Sequence, residues 1–141
     1  MGDYYISVKL KEQVISRAKG RCEYCKCLQK FSPQPFVMEH ILPRSLGGET
    51  LFNNLALACG GCNGHKYNKT KALDPITGSI TQLFDPRSNS WMDHFEWGAS
   101  FVHIVGVTPT GRSTVRALCL NREELINLRK VMLLVSEHPP S

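Results

Sequence analysis

Two Cys-x-x-Cys pairs, Cys22 with Cys25 and Cys59 with Cys62, restrict what this chain can fold into more than any other feature. Each pair offers two thiolates close enough to share one ion, and four thiolates complete a closed tetrahedral zinc site of the structural kind. The 33 residues between the pairs exceed the spacing of a simple zinc ribbon, so a structural unit must be inserted between them. A redox-active Cys-x-x-Cys is the weaker reading, because no thioredoxin-like βαβ pattern surrounds either pair. Cys27 competes as a ligand through its Cys-x-Cys step with Cys25, and Cys119, in an apolar stretch, reads as a core thiol.

With 141 residues the chain is long enough for one domain with a core of its own. No run of 18 apolar residues occurs, so no membrane span is expected. The polar stretch from Met1 to Lys11 lacks the apolar run of a secretory signal. A cytoplasmic location follows as the expectation, and thiols kept reduced there favour metal over disulfide. The net charge of +5 is unevenly spread: residues 1–72 hold eleven Lys or Arg against five Asp or Glu, and residues 73–141 hold six against seven. The basic half is the half with the cysteine pairs, which suits a polyanionic partner such as nucleic acid.

The chain divides by pattern into residues 1–74 and 75–141, expected to pack as one unit. In the first part Ser7 caps a helix over about Val8 to Lys19, stopped by Gly20. Phe36 to Leu42 reads as a strand ended by Pro43, and Leu55 to Ala58 as a second strand. Asn63 to about Ala72 reads as a helix. In the second part four strands are expected, Ile80 to Phe84, His94 to Trp97, Phe101 to Val107 and Thr114 to Leu120, separated by turns at Asp85-Pro86, Gly98 and Pro109-Thr110-Gly111. They suggest an antiparallel meander. A last helix over about Arg122 to Val135 takes Asn121 as its cap and Glu124 as the capping-box partner, with Leu125, Leu128, Met132 and Val135 as its apolar face. The tail from His138 to Ser141 is expected to fray.

The knuckle C-E-Y-C, the stretch M-E-H-I-L-P-R-S-L-G-G and the stretch N-N-L-A-L-A-C-G-G-C-N-G-H-K together resemble the HNH endonuclease family over roughly residues 10 to 72. The resemblance implies an α+β fold: a ββα-metal core with a structural zinc, followed here by the meander and the C-terminal helix. It also implies a nuclease. The family often has Asp where this chain has Glu39 and a further His where it has Asn63, Asn being one of its variants. Asp85 to Trp97 resembles a segment that follows the core in some bacterial HNH proteins, as does T-P-T-G-R-S-T-V.

The chemistry can be argued from residue types as well. Phosphodiester hydrolysis needs a base for the attacking water and a cation for the charge on phosphate and leaving oxygen. His40 is the candidate base, since imidazole transfers protons near neutral pH. Glu39 and Asn63 are the candidate ligands of a hard cation, Mg²⁺ or Mn²⁺. Neighbours on a strand face opposite ways, so Glu39 and His40 converge only where the strand ends. Asn54, with Asn53 as its rival, would fix the imidazole. His65 is a lower-ranked ligand. Arg44, Lys66, Lys69 and Lys71 are candidate phosphate contacts, and Arg87 and His94 reach DNA or the site only in a weaker reading; Trp91, Phe95 and Trp97 are more simply core aromatics. The expected activity is nicking of DNA by a monomer or weak dimer, and the alternative is a non-catalytic zinc module that binds nucleic acid.

Overall fold

The computed structural model describes residues 5–140; the first four residues of the polar N-terminal stretch and Ser141 of the expected frayed tail lie outside them. Helix α1 runs over Val8–Arg17, with Ser7 Oγ accepting the Leu10 N–H at 3.1 Å as expected of an N-cap. It stops before Lys19 because Lys19 and Gly20 both take positive φ. Strand β1 (Val37–His40) pairs antiparallel with β2 (Leu55–Ala58), Val37 opposite Ala58 and His40 opposite Leu55. All four residues of β2 are buried, so this strand is the floor on which the first half is built. β1 is two residues shorter than its apolar pattern at its C-terminal end, because the N–H of Leu42 goes to the side-chain Oδ1 of Asn54 instead of a ladder partner.

Helix α2 (Gly60–Lys66) starts on the second knuckle itself, with Cys59 as N-cap and its Sγ accepting from Cys62 N at 3.4 Å. It ends earlier than the sequence suggests, since Tyr67 turns to positive φ. Lys71 to Leu73, expected at the end of that helix, form strand β3 and pair with β4 (Ile80–Gln82). Asp74 closes this hairpin, accepting from Ile76 N and the Thr77 hydroxyl, and holds Arg112 in a two-pronged ion pair at 2.9 and 2.8 Å.

The expected meander is replaced by a second, separate hairpin. A one-turn helix α3 (Trp91–His94) leads into β5 (Phe95–Trp97), which pairs antiparallel with β6 (Ile104–Gly106). The stretch read as a strand from Thr114 lies in helix α4 (Pro109–Ala117) and the turn after it. Its start is signalled locally: Thr108 Oγ1 accepts from Gly111 N at 3.0 Å and Pro109 stands in the first turn, a cap and a pre-set φ that were read as a loop. Gly111 is obligatory here, since a Cβ would lie 2.0 Å from the carbonyl oxygen of His94. Cys119, expected in the core, is exposed in the turn after α4.

Helix α5 covers Glu123–Leu134 with Arg122, not Asn121, at the cap position. The Asn121 amide is spent elsewhere, accepting from Ile104 N at 2.7 Å and donating to Ile104 O at 2.9 Å. Glu124 is accordingly exposed and makes no capping box. Leu125 and Met132 are buried and Leu128 half-buried, but Val135 faces outward. His138 is not frayed: it is buried, its Nε2 on Phe101 O and its ring edge-on to Trp97.

The two parts of the chain share one core. Trp91 donates Nε1–H to Tyr24 O at 3.1 Å, and Phe84, Phe95, Trp91 and Trp97 continue from there as a stack of tilted and edge-on rings. Arg87 spans Leu55 O and the Glu23 carboxylate, whose other oxygen accepts from Leu57 N. His94 bonds Thr108 Oγ1 at 2.7 Å. Both residues are thus structural here and do not line the concavity described below. Among the described residues no helix is long and apolar enough to cross a membrane.

Arg129 tests how firmly the last helix is fixed. It is fully buried, and its guanidinium donates to Val102 O at 2.8 Å, Leu120 O at 2.7 Å and Asn121 Oδ1 at 3.2 Å. Methionine fills similar space but leaves the carbonyls of Val102 and Leu120 unpaired, each costing about 1–3 kcal/mol when buried, while Asn121 Oδ1 keeps the Ile104 N–H. Arg129→Met should therefore cost about 3 kcal/mol and lower the melting temperature by roughly 10 °C. Calorimetry checks this, and a melting temperature equal to that of the wild type would refute the role assigned to Arg129.

Candidate functional site

The four sulfurs of Cys22, Cys25, Cys59 and Cys62 lie within 4.8 Å of one another, and all four residues are buried. Local structure explains the convergence. Each pair forms a tight turn in which the first sulfur accepts the backbone N–H three residues on, Cys25 N to Cys22 Sγ at 3.5 Å and Cys62 N to Cys59 Sγ at 3.4 Å. The first turn is further fixed by Cys22 N on Cys27 O and Lys26 N on Cys22 O. Burial pushes the Cys22 and Cys25 thiols well up, while hydrogen bonds from Cys22, Cys25 and their neighbours push Cys59 down. A bound ion is what makes four buried thiolates tenable, and the donor set suits a structural metal such as zinc. Cys27 sits beside this group, its Sγ 3.1 Å from Cys25 Sγ, but is not one of the four.

A concavity of about 770 Å³ opens beside β1 and α2, lined among others by Glu39, His40, Pro43, Arg44, Asn63 and Tyr67. The strand ends at His40, and this allows the neighbours Glu39 and His40 to face one cavity with Asn63 from α2. The His40 ring is held by Thr50 Oγ1, 2.9 Å from Nε2. Burial, then the charges of Arg44 and Lys66, hold its pKa below the usual histidine value, which favours the neutral imidazole.

Glu39 is 3% exposed, and both of its oxygens have partners: Oε1 accepts from Tyr24 OH at 2.5 Å and Oε2 from Lys66 Nζ at 2.8 Å. Burial pushes its carboxyl up, while Lys66 and Tyr24 act in the opposite direction. Lys66, expected among the surface cations, is only 2% exposed; its ammonium also donates to Ile41 O at 3.0 Å and lies 3.5 Å from His40 O. It is a buried residue of the site and not the exposed phosphate contact that the sequence suggests.

The amide of Asn54 binds the loop that follows β1. Its Oδ1 accepts from Leu42 N at 2.9 Å, and its Nδ2 donates to Leu42 O at 3.1 Å and Glu49 O at 2.9 Å. Its backbone carbonyl takes the Ile41 N–H, while Asn53 is exposed. Arg44 is exposed on the rim of the concavity. Lys69 and Lys71 are exposed beyond the end of α2, Lys69 with its ammonium on His65 O. His65 lines a different concavity, together with Cys27, Phe36 and Arg122, and is not brought to His40. Tyr24, Thr50 and the buried role of Lys66 were not anticipated. The one local hint was Tyr24 inside the first knuckle, two residues from a ligand pair and unable to point at solvent.

The model of the HNH endonuclease family matches residues 22–69. Comparisons with curated proteins and with solved structures return no significant match. The matched stretch contains both strands of the β1–β2 hairpin, helix α2 and all four clustered cysteines. Over residues 22–69 this chain is thus similar to the HNH endonuclease family.

Proposed function

We propose that this chain is a metal-dependent endonuclease that hydrolyses DNA phosphodiester bonds and nicks one strand per encounter. The observation that supports this most directly is the single concavity lined by His40, Glu39, Asn63 and Arg44 beside the four-cysteine cluster. In this reading the cluster holds Zn²⁺ and serves the fold.

His40 takes the proton of the attacking water. With Nε2–H donating to Thr50, its lone pair lies on Nδ1, and burial, then the neighbouring positive charges, favour the neutral ring that this task needs. Asn54 orients His40 through the loop: it holds Glu49 O, and the next residue, Thr50, holds the ring. Glu39 and Asn63 hold Mg²⁺ or Mn²⁺. The fit rests on a carboxylate and an amide side chain lining one cleft. When bound, such an ion stabilises negative charge on the phosphate and the leaving oxygen. Arg44 meets a phosphate at the rim, and Lys69 and Lys71 extend the positive path along the backbone of the DNA.

One observation favours the second reading, a zinc-containing module that binds nucleic acid without cutting it: both oxygens of Glu39 are engaged by Tyr24 and Lys66. The two readings diverge in one assay. Supercoiled plasmid incubated with the purified protein and Mg²⁺ or Mn²⁺ should be nicked by the wild type. His40→Ala should be slower by about 10²–10⁴-fold, with DNA binding and zinc content unchanged. Wild-type binding without nicking in either metal would decide for the second reading, and undiminished cutting by His40→Ala would remove His40 from the chemistry.

The metal cluster makes a separate prediction. Structural zinc contributes folding free energy directly. Cys59→Ser, or prolonged chelation of the wild type, should abolish stoichiometric zinc and the cooperative thermal transition. Metal analysis and circular dichroism provide the check; a Cys59→Ser protein that melts like the wild type would sink the assignment.

A further inference from the structure

The cysteine cluster has a partner from the far end of the chain. Arg122, the residue before α5, places its guanidinium against the second knuckle: Nη2 is 3.4 Å from Cys59 Sγ and 3.6 Å from Cys62 Sγ, and Nη1 is 3.7 Å from Cys62 Sγ. The rest of the fork is anchored, with Nη1 also donating to Leu118 O at 3.1 Å and Cys119 O at 3.2 Å. Four thiolates around one divalent ion leave two negative charges, and a guanidinium is the side chain that stays charged at any relevant pH and donates in a fixed plane.

Gly61 provides the second, independent observation. A Cβ at this position would stand 2.4 Å from Arg122 Nη2 and 2.9 Å from Cζ. The residue lies inside α2, and its φ is not in the left-handed region, so backbone conformation does not require glycine here. Alanine is the better helix former. What glycine supplies is room for the guanidinium to lie on the sulfurs. The second Gly of C-G-G-C thus has a partner 61 residues away in sequence.

We propose that Arg122 belongs to the metal centre: it neutralises the thiolates of Cys59 and Cys62, and through the gap at Gly61 it sets how long the centre keeps its ion. Each N–H···S contact disperses negative charge from a ligand sulfur and fixes its orientation toward the ion. The C-terminal part of the chain is by this route a component of the zinc site. The inference rests on the four-cysteine centre alone and stands whether or not the protein cuts DNA.

The test follows transfer of zinc from the loaded full-length chain to a chromogenic chelator. Removing the hydrogen-bond partner of a metal ligand typically costs about 10–100-fold in affinity. Arg122→Met should release zinc faster by about that factor, with Arg122→Lys in between. Gly61→Ala should also release it faster, against the direction of its helix propensity, and should add nothing in the Arg122→Met background. Leu128→Ala, which loosens α5 but leaves Arg122 and Gly61 in place, should release zinc at the wild-type rate. Wild-type release by Arg122→Met, or multiplying effects in the double variant, would overturn the proposal. So would equal acceleration by Leu128→Ala. Should Arg122→Met fail to fold, Gly61→Ala decides alone: retention of zinc equal to or better than wild type refutes the role of Arg122.

Discussion

Four buried sulfurs have to be brought together before the other parts of this site can be placed. The hairpin β1–β2 has four residues in each strand, too short to be stable by pairing alone. It is held because one knuckle precedes it and the other begins at Cys59, directly after its last residue. The second knuckle also fixes the start of α2, with Cys59 as both cap and clustered donor. Asn63 and Lys66 follow within two turns, so the geometry at the sulfurs determines where both meet β1. Four sulfurs this close are held best around one ion, and that links the order of the hairpin and helix to metal occupancy.

The second constraint is the pair Glu39–Lys66, both members 2% exposed at the side chain. A buried pair of this kind adds little net stability over apolar residues of similar size, yet losing one partner costs about 3–5 kcal/mol. Its value here is positional. Lys66 reaches Glu39, Ile41 O and His40 O, so α2 is tied to the end of β1 just where the strand turns away from its ladder. Tyr24 adds a tie from the first knuckle through Glu39 Oε1. The residues that face the concavity are therefore supported from behind by three parts of the fold.

Signals of short range were readable in the sequence. The cysteine spacing, the four apolar residues of β2 and the Ser7 cap all depend on neighbours within a few positions, and the structure has each where the pattern puts it. Tertiary choices were hidden. Nothing in N-G-H-K tells a solvated lysine from one buried against Glu39, and the distinction depends on a partner 27 residues away. Thr114 to Leu120 were mistaken for a strand because their β-branched and apolar residues suit one; the Thr108 cap and Pro109 decided for helix. Asn121 looked like a cap, but a buried strand end at Ile104 competed for its amide and won.

The fold also sharpens the charge asymmetry that the sequence contains. In the second part of the chain Arg87, Arg112, Arg122 and Arg129 are turned inward, on Glu23, Asp74, cysteine sulfurs and backbone carbonyls. Among the described residues, that leaves Arg116 and Lys130 as its exposed cations, against the exposed acids Asp93, Glu96, Glu123 and Glu124. The first part does the reverse: Glu23 and Glu39 are buried, which leaves Glu12 and Glu49 as its exposed acids among the described residues, while Lys9, Lys11, Lys19, Lys30, Arg44, Lys69 and Lys71 are exposed. A difference that is modest by composition is thus larger among the exposed residues of the two parts. Under the proposed function, this distribution would favour approach of the polyanion to the first part, which carries the concavity. The same arginines that hold the core together are the ones withdrawn from the surface, so internal bonding and surface charge are set by one distribution of cations.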